Sequence, residues 1–199
     1  MSTITPVRQI RAVYDERTIT VYQAYRKEIA QNAVKAQTFV SPFKIDRMTW
    51  IKPSFFWMMY RCGWAEKPGQ EHVLAIKMTQ EGFDWALEHA CLSHFDAALH
   101  ASYDAWKAQL ELSPVRVQWD PERDLFLNKL DYRSIQIGLS GEAVHRYVRE
   151  WIVGIEDITE ECRLIHSLIQ DKKPEEARQR IPKERVYPKV FERVFAGTD

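Results

Sequence analysis

The chain has 199 residues, with 28 Lys and Arg balanced by 28 Asp and Glu, and 45% of its residues are apolar. Zero formal charge argues against a polybasic nucleic-acid or membrane-surface arm, and a chain this long buries roughly 70% of the surface it exposes when unfolded, so one domain with a real core is expected. The longest apolar run, Phe55 to Tyr60, is far below the ~20 residues that span a bilayer, and MSTITPVRQIRAV lacks a secretory apolar stretch, so a cytoplasmic protein without a membrane partner is expected.

Thr18 to Tyr25 (TITVYQAY) is β-branched and aromatic and reads as a strand, with Ile19, Val21 and Gln23 on one face. Ile29, Ala30, Ala33, Val34 and Gln37 then fall at helical spacing. Ser41-Pro42-Phe43 breaks the chain, Arg47 to Ile51 reads as a short strand, and Pro53 suits the first position of the apolar helix that ends at Gly63. Val73 to Met78 has the continuous apolar character of a central strand. Thr79 caps a helix with Phe83, Ala86, Leu87 and Ala90 on its inner face, and helical spacing returns between Ser93 and Ser113.

Val115, Val117 and Trp119 alternate as a strand before a turn at Asp120-Pro121-Glu122-Arg123, and Tyr132 to Gly138 reads as the next strand. Ser140 is a candidate cap for the helix carrying Ala143, Val144, Tyr147, Val148, Trp151 and Ile152. Gly154 permits an exit, Ile155 to Ile158 alternates, and Thr159 caps a helix carrying Leu164, Ile165, Leu168 and Ile169. The resulting class is α+β, a single compact domain over 1–199 with a mixed, mainly antiparallel central sheet flanked by helices. Residues 1–9 are expected to be flexible, 171–185 to be a charged surface linker, and 186–199 to dock back as an apolar tail.

Three groups of residues carry potential chemistry. In DRMTWIKPSFFWMMYRCGW, Arg47, Trp50 and Lys52 precede a helix, where an aromatic face and cations suit a flat, anionic ligand; the competing reading is a core helix with charged ends. In VQWDPERD, a strand ending at Trp119 is expected to aim Gln118, Asp120, Glu122 and Arg123 into one cleft, with an ordinary turn as the alternative. In YRSIQIG, Arg133 and Gln136 fall on opposite strand faces. His89, Cys91, His94 and His100 match no standard zinc spacing, so no metal is expected. Cys62, Cys91 and Cys162 are widely spaced and odd in number, and read as reduced core residues.

Together IRAVYDERTITVYQAY, DRMTWIKPSFFWMMYRCGW, VQWDPERD and YRSIQIGLSGEAV resemble the signature blocks of domain-of-unknown-function family 4291, over most of Ile10 to Ile158. At the level of strand and helix order, VYQAYRKEIAQNAV, MTWIKPSFFWMMY and YRSIQIG also resemble the ADP-ribosyltransferase superfamily. That second resemblance implies a nucleotide-binding enzyme using NAD, with Gln23 in the place of a His or Arg, Thr49 in a Ser or Thr position, and Gln136 in the place of the catalytic Glu. Glu122 or Asp120 would then supply the missing carboxylate. Tyr22, Gln23, Arg47, Trp50, Lys52, Trp119 and Arg133 are the expected nucleotide-binding residues. Two other readings compete: a single-stranded nucleic-acid-binding module in which Trp50, Trp57, Trp64 and Trp119 stack bases, and a protein-interaction domain with no small ligand.

Overall fold

A computed structural model describes residues 7–195 of the chain. Residues 1–6 and 196–199, the outer parts of the expected flexible terminus and docking tail, lie outside the described residues. The strands are β1 (Arg11–Ala12), β2 (Thr18–Tyr25), β3 (Thr49–Ile51), β4 (His72–Thr79), β5 (Ala90–Leu92), β6 (Val115–Arg123), β7 (Lys129–Leu139), β8 (Ile152–Asp157) and β9 (Arg185–Val186). The helices are α1 (Lys27–Ala36), α2 (Phe55–Cys62), α3 (Gln80–Glu88), α4 (Tyr103–Leu112), α5 (Glu142–Arg146), α6 (Thr159–Gln170), α7 (Pro174–Arg180) and α8 (Glu192–Phe195), with a π-helical turn, Tyr147–Trp151, continuing α5.

The domain is α+β, as expected, but its strands form three sheets instead of one. β2, β4 and β8 make an antiparallel sheet with the apolar β4 in the middle. β3, β7, β6 and β5 make a second sheet, antiparallel except where β5 runs parallel to β6. β1 and β9 form a short ribbon. The two larger sheets meet at a single bridge, where Tyr22 N–H donates to the Lys52 carbonyl (2.7 Å) and Lys52 N–H donates to the Tyr22 carbonyl (3.2 Å). At the next ladder position Thr20 N–H is taken by the Val13 carbonyl (2.8 Å) and Ser54 caps α2, so pairing between β2 and β3 goes no further in that direction.

Burial explains the layering. Ile19 and Val21 of β2, Ile76 and Met78 of β4, and Ile135, Ile137 and Leu139 of β7 share the main core with Phe83, Ala86 and Leu87 of α3. Helix α3 packs against strands of both sheets. A second core holds Tyr22, Val73, Phe55, Met59, Cys162 and Ile165, so α2 and α6 cover the other face of β2 and β4. All three cysteines are free and buried. No helix among the described residues is long and apolar enough to cross a membrane.

Several element ends differ from the sequence expectation for local reasons. Ser54, not Pro53, opens α2: its hydroxyl accepts from Trp57 N–H at 3.1 Å, while Gly63 closes the helix in the left-handed region at φ 57°. Thr79 caps α3 as expected. Ser140 does not cap α5, because its hydroxyl donates to the Pro114 carbonyl (3.0 Å) and Gly141 takes the cap position at φ 50°. Thr159 is the first residue of α6, its N–H held by Asp157 Oδ1 (2.9 Å). Gly154 lies within β8 and does not lead out of it.

Ala90–Leu92 continues the helical apolar spacing of α3, yet pairs beside β6 as β5, since three buried residues are too few to reveal a period. The expected turn at 120–123 is instead the end of β6, displaced by a register shift between Pro121 and Arg123. Residues 7–9, expected to be flexible, are held: Arg133 N–H donates to the Val7 carbonyl (2.6 Å) and Gln9 is buried. The tail docks, with Tyr187 donating to Asp84 Oδ1 (2.7 Å) and the Trp119 indole N–H to the Val194 carbonyl (2.7 Å).

Candidate functional site

A cleft of about 610 Å³ opens where the two larger sheets meet. Its floor follows from strand register. Trp50 pairs with Gly138 and Gln118 with Gln136, so Trp50, Gln136, Gln118 and Asp120 share the sheet face opposite the main core. Gly138 is required there by close approach: a Cβ would come within 2.9 Å of the Met48 sulfur and 3.0 Å of the Trp50 ring. The indole therefore lies across a bare backbone, which holds it in one orientation. Trp57, Met58 and Arg61 of α2 form a facing wall.

Lys52 is the central charge. It is buried among these groups, and its ammonium donates to the Trp50 carbonyl at 3.2 Å. Burial, reinforced by the nearby Arg61 cation, pushes its pKa down to about 8, with Cys62 and Asp120 acting in the opposite direction. Opposite stands Asp120, whose oxygens accept amide N–H bonds from Gln118 (3.0 Å) and Gln136 (2.7 Å). The Trp57 indole N–H is buried with no acceptor among the described residues.

A second network closes one side of the cleft. The Gln23 amide donates to Thr49 Oγ1 (2.6 Å) and to the Tyr25 hydroxyl (2.8 Å), and its carbonyl accepts from the Tyr147 hydroxyl (2.9 Å). Gln23 is thus fully engaged by the protein. Its part is to hold the Thr49 and Tyr25 hydroxyls, themselves 2.9 Å apart, at the cleft wall.

The structure brings Gln23, Thr49, Trp50, Lys52, Gln118, Asp120 and Gln136 to one cleft, together with Trp57 of the base-stacking reading, and leaves Tyr22, Arg47, Trp119, Glu122, Arg123 and Arg133 elsewhere. Tyr22 points from the opposite face of β2 into the second core, edge-on to Phe55 at 5.7 Å. Trp119 is buried against Phe195, and Trp64 is buried against His166. The four tryptophans therefore do not form one base-stacking row. Arg133 is an exposed residue whose guanidinium donates to the Trp119 carbonyl (3.3 Å). Arg47 lines a neighbouring cavity.

Glu122 and Arg123 do not join Gln118 and Asp120. The shift after Pro121 breaks the strand alternation, and Glu122 turns under the first turn of α2, accepting from Ser54 Oγ (2.9 Å) and Arg123 N–H (2.8 Å). It lines a different cavity, about 530 Å³, together with Glu184. Burial raises the pKa of Glu122. Burial also lifts Glu184 to about 8, helped by Glu122 and opposed by the Phe55 N–H that it accepts at 2.6 Å. Arg123 stacks over the Tyr60 ring at 3.7 Å.

Arg61 was not among the residues named from the sequence and Trp57 entered only through the base-stacking reading, although their i, i+4 spacing puts them on one helix face. Which face of a largely apolar helix meets a cleft depends on what packs against the rest. Among the described residues no group of three or more His, Cys, Asp or Glu could hold a metal ion. His89 stacks on Trp85 at 3.9 Å.

Fold and site together define an α+β domain with a polar, cation-bearing cleft at the junction of two sheets. The profile described as domain of unknown function (DUF4291) matches residues 9–187, and the chain belongs to that family. No curated protein matches the chain.

Proposed function

We propose that this chain is a nucleotide-binding enzyme of ADP-ribosyltransferase type, taking NAD or a related nucleotide in the Lys52 cleft. The observation that carries the reading is a buried lysine, beside Arg61, in a cleft that also presents Trp50 and Trp57. Burying a cation without a bonded carboxylate is costly. An anionic ligand offsets that cost, and the ammonium has N–H donors to spare beyond the one given to Trp50. The cleft volume suits a small-molecule site.

In this reading Lys52 and Arg61 bind the phosphates and Trp50 stacks a ring. NAD supplies a cationic nicotinamide leaving group. Asp120, steadied by Gln118 and Gln136, stabilises positive charge developing at the ribose. Asp120 takes the carboxylate role rather than Glu122, which lines the other cavity. Gln136 acts by positioning Asp120, and Gln23 by positioning Thr49. Three buried free thiols are consistent with the cytoplasmic setting expected from the sequence.

The test is thermal unfolding with NAD, ADP-ribose, AMP and inorganic pyrophosphate. A ligand present at a hundredfold its Kd stabilises by about 2.7 kcal/mol, and the shift is expected to vanish in Lys52→Met while the variant stays folded. Indifference of the wild-type chain to all four compounds overturns the reading.

A further inference from the structure

On the other side of Thr49 lies a second cavity of about 450 Å³, with Tyr25, Met48 and Thr49 lining both. Its remaining wall comes from the start of α1 and the segment before β3, including Arg26, Lys44 and Arg47 around Phe43. None of the described lining residues is acidic. Three cations line this apolar hollow, while the nearby acids, Asp46 between Lys44 and Arg47 and Glu28 beside Arg26, do not. Lys44 and Arg47 are exposed, and Arg26 is 3.4 Å from Glu28 in an open ion pair that a ligand can displace at little cost. Phe43, half-buried, stacks on Phe39 at 4.5 Å, giving the hollow a rigid aromatic floor.

We infer that this second cavity docks the acceptor, a single-stranded nucleic acid, with its phosphates on Arg26, Lys44 and Arg47 and one base against Phe43. The inference rests on the nucleotide-enzyme reading and names the acceptor for the same site. Cations spaced along a groove beside an aromatic surface recognise a strand by its backbone and by stacking. The shared wall at Thr49 brings that strand to the nucleotide. In the transfer, a nucleophilic oxygen or nitrogen of the strand forms a bond to the ribose C1′ of NAD as the C1′–nicotinamide bond breaks. Nicotinamide leaves with the bonding pair, and the proton of the nucleophile goes to solvent.

The test uses the full chain and a fluorescent single strand of about a dozen nucleotides, followed by anisotropy between about 50 and 200 mM salt. Three phosphate contacts predict a log–log salt slope near −2, hence about a twentyfold loss of affinity over that range. The double variant Lys44→Glu, Arg47→Glu is expected to bind at least about tenfold more weakly with a shallower slope, while its ADP-ribose thermal shift persists. Binding that is absent at low salt, independent of salt, matched by an acidic peptide of equal charge, or unchanged in the double variant overturns the inference. If the strand binds through these cations but no nucleotide stabilises the chain, the enzyme reading fails and with it the acceptor role, leaving only a strand-binding surface.

Discussion

Asp120 and Glu122 stand two residues apart on β6, yet they line different cavities. Asp120 faces a cleft centred on the Lys52 cation and touching Trp57, Met58 and Arg61 of α2. Glu122 joins Glu184 in a cavity that Arg11, Arg123, Arg178 and Lys183 also line and that meets α2 at Phe56. In each, burial moves a charged group toward neutrality: the lysine down to about 8, the glutamate up to about 8. The comparison teaches that a one-residue irregularity at Pro121 sorts two nearby acids into different cavities. In the second cavity Glu122 accepts from the Ser54 hydroxyl and Glu184 from the Phe55 N–H, which ties the start of α2 to β6 and to the segment leading to β9.

The comparison breaks most readily at Asp120. Asp120→Asn keeps the shape but removes the charge facing the ribose, and nicotinamide release is expected to fall on the order of a hundredfold in kcat with KM little changed. Equal loss from Glu122→Gln, measured in the same assay, would move the chemistry to the other cavity.

Lys52→Met tests the cation. The native pKa lies below the unfolded value, so at neutral pH the folded chain bears the full cost of burying charge. That cost is released as pH rises from about 8 toward the ordinary lysine range. The variant is therefore expected to be more stable than wild type at pH 7 by about 3 kcal/mol, and to lack the gain in stability that wild type shows above pH 8. Denaturant titration across pH measures both, and a Lys52→Met chain less stable than wild type contradicts this account. In wild type, nucleotide affinity is expected to weaken above pH 8, well before a surface lysine would lose its proton.

Glu184 titrates with the opposite sign. Its folded pKa is raised, so the wild type loses stability as pH rises from the ordinary carboxylate range to about 8. Glu184→Gln mimics the protonated form and is expected to match wild type near pH 4 and to exceed it near pH 9, by up to about 5 kcal/mol. Identical pH profiles would mean that the carboxyl is freely solvated. The smallest effect is expected at the shared helix start: Ser54→Ala loses the cap of α2 and a bond to Glu122, costing about 1 kcal/mol. Nucleotide binding should survive that change, because Ser54 touches the carboxyl side of α2.

Much of the fold was legible. β2, β4 and β7 carry uninterrupted β-branched or alternating runs, and α1, α3 and α6 show their buried face at helical spacing, so local pattern and tertiary burial agree. β5 was hidden because three residues cannot display a period. The continuation of β6 through Pro121 was hidden because Asp-Pro is ordinarily turn chemistry. Of the site, Trp50, Lys52, Thr49, Asp120 and Gln136 were visible as unusual polar or aromatic residues beside strand ends. Trp57 and Arg61 were masked by the apolar helix that carries them.

By itself the sequence determined the α+β class, the identities of the principal strands and helices, and the neutral surface charge, since these depend on composition and on periods of two and 3.6 residues. Only the tertiary structure decided that the strands divide into separate sheets joined at Tyr22 and Lys52, that Gln23 is engaged with Thr49 and Tyr147, and that Asp120 and Glu122 part company. Those outcomes depend on pairing between residues far apart in the chain, and on a shifted register whose consequences appear only once partners are in place.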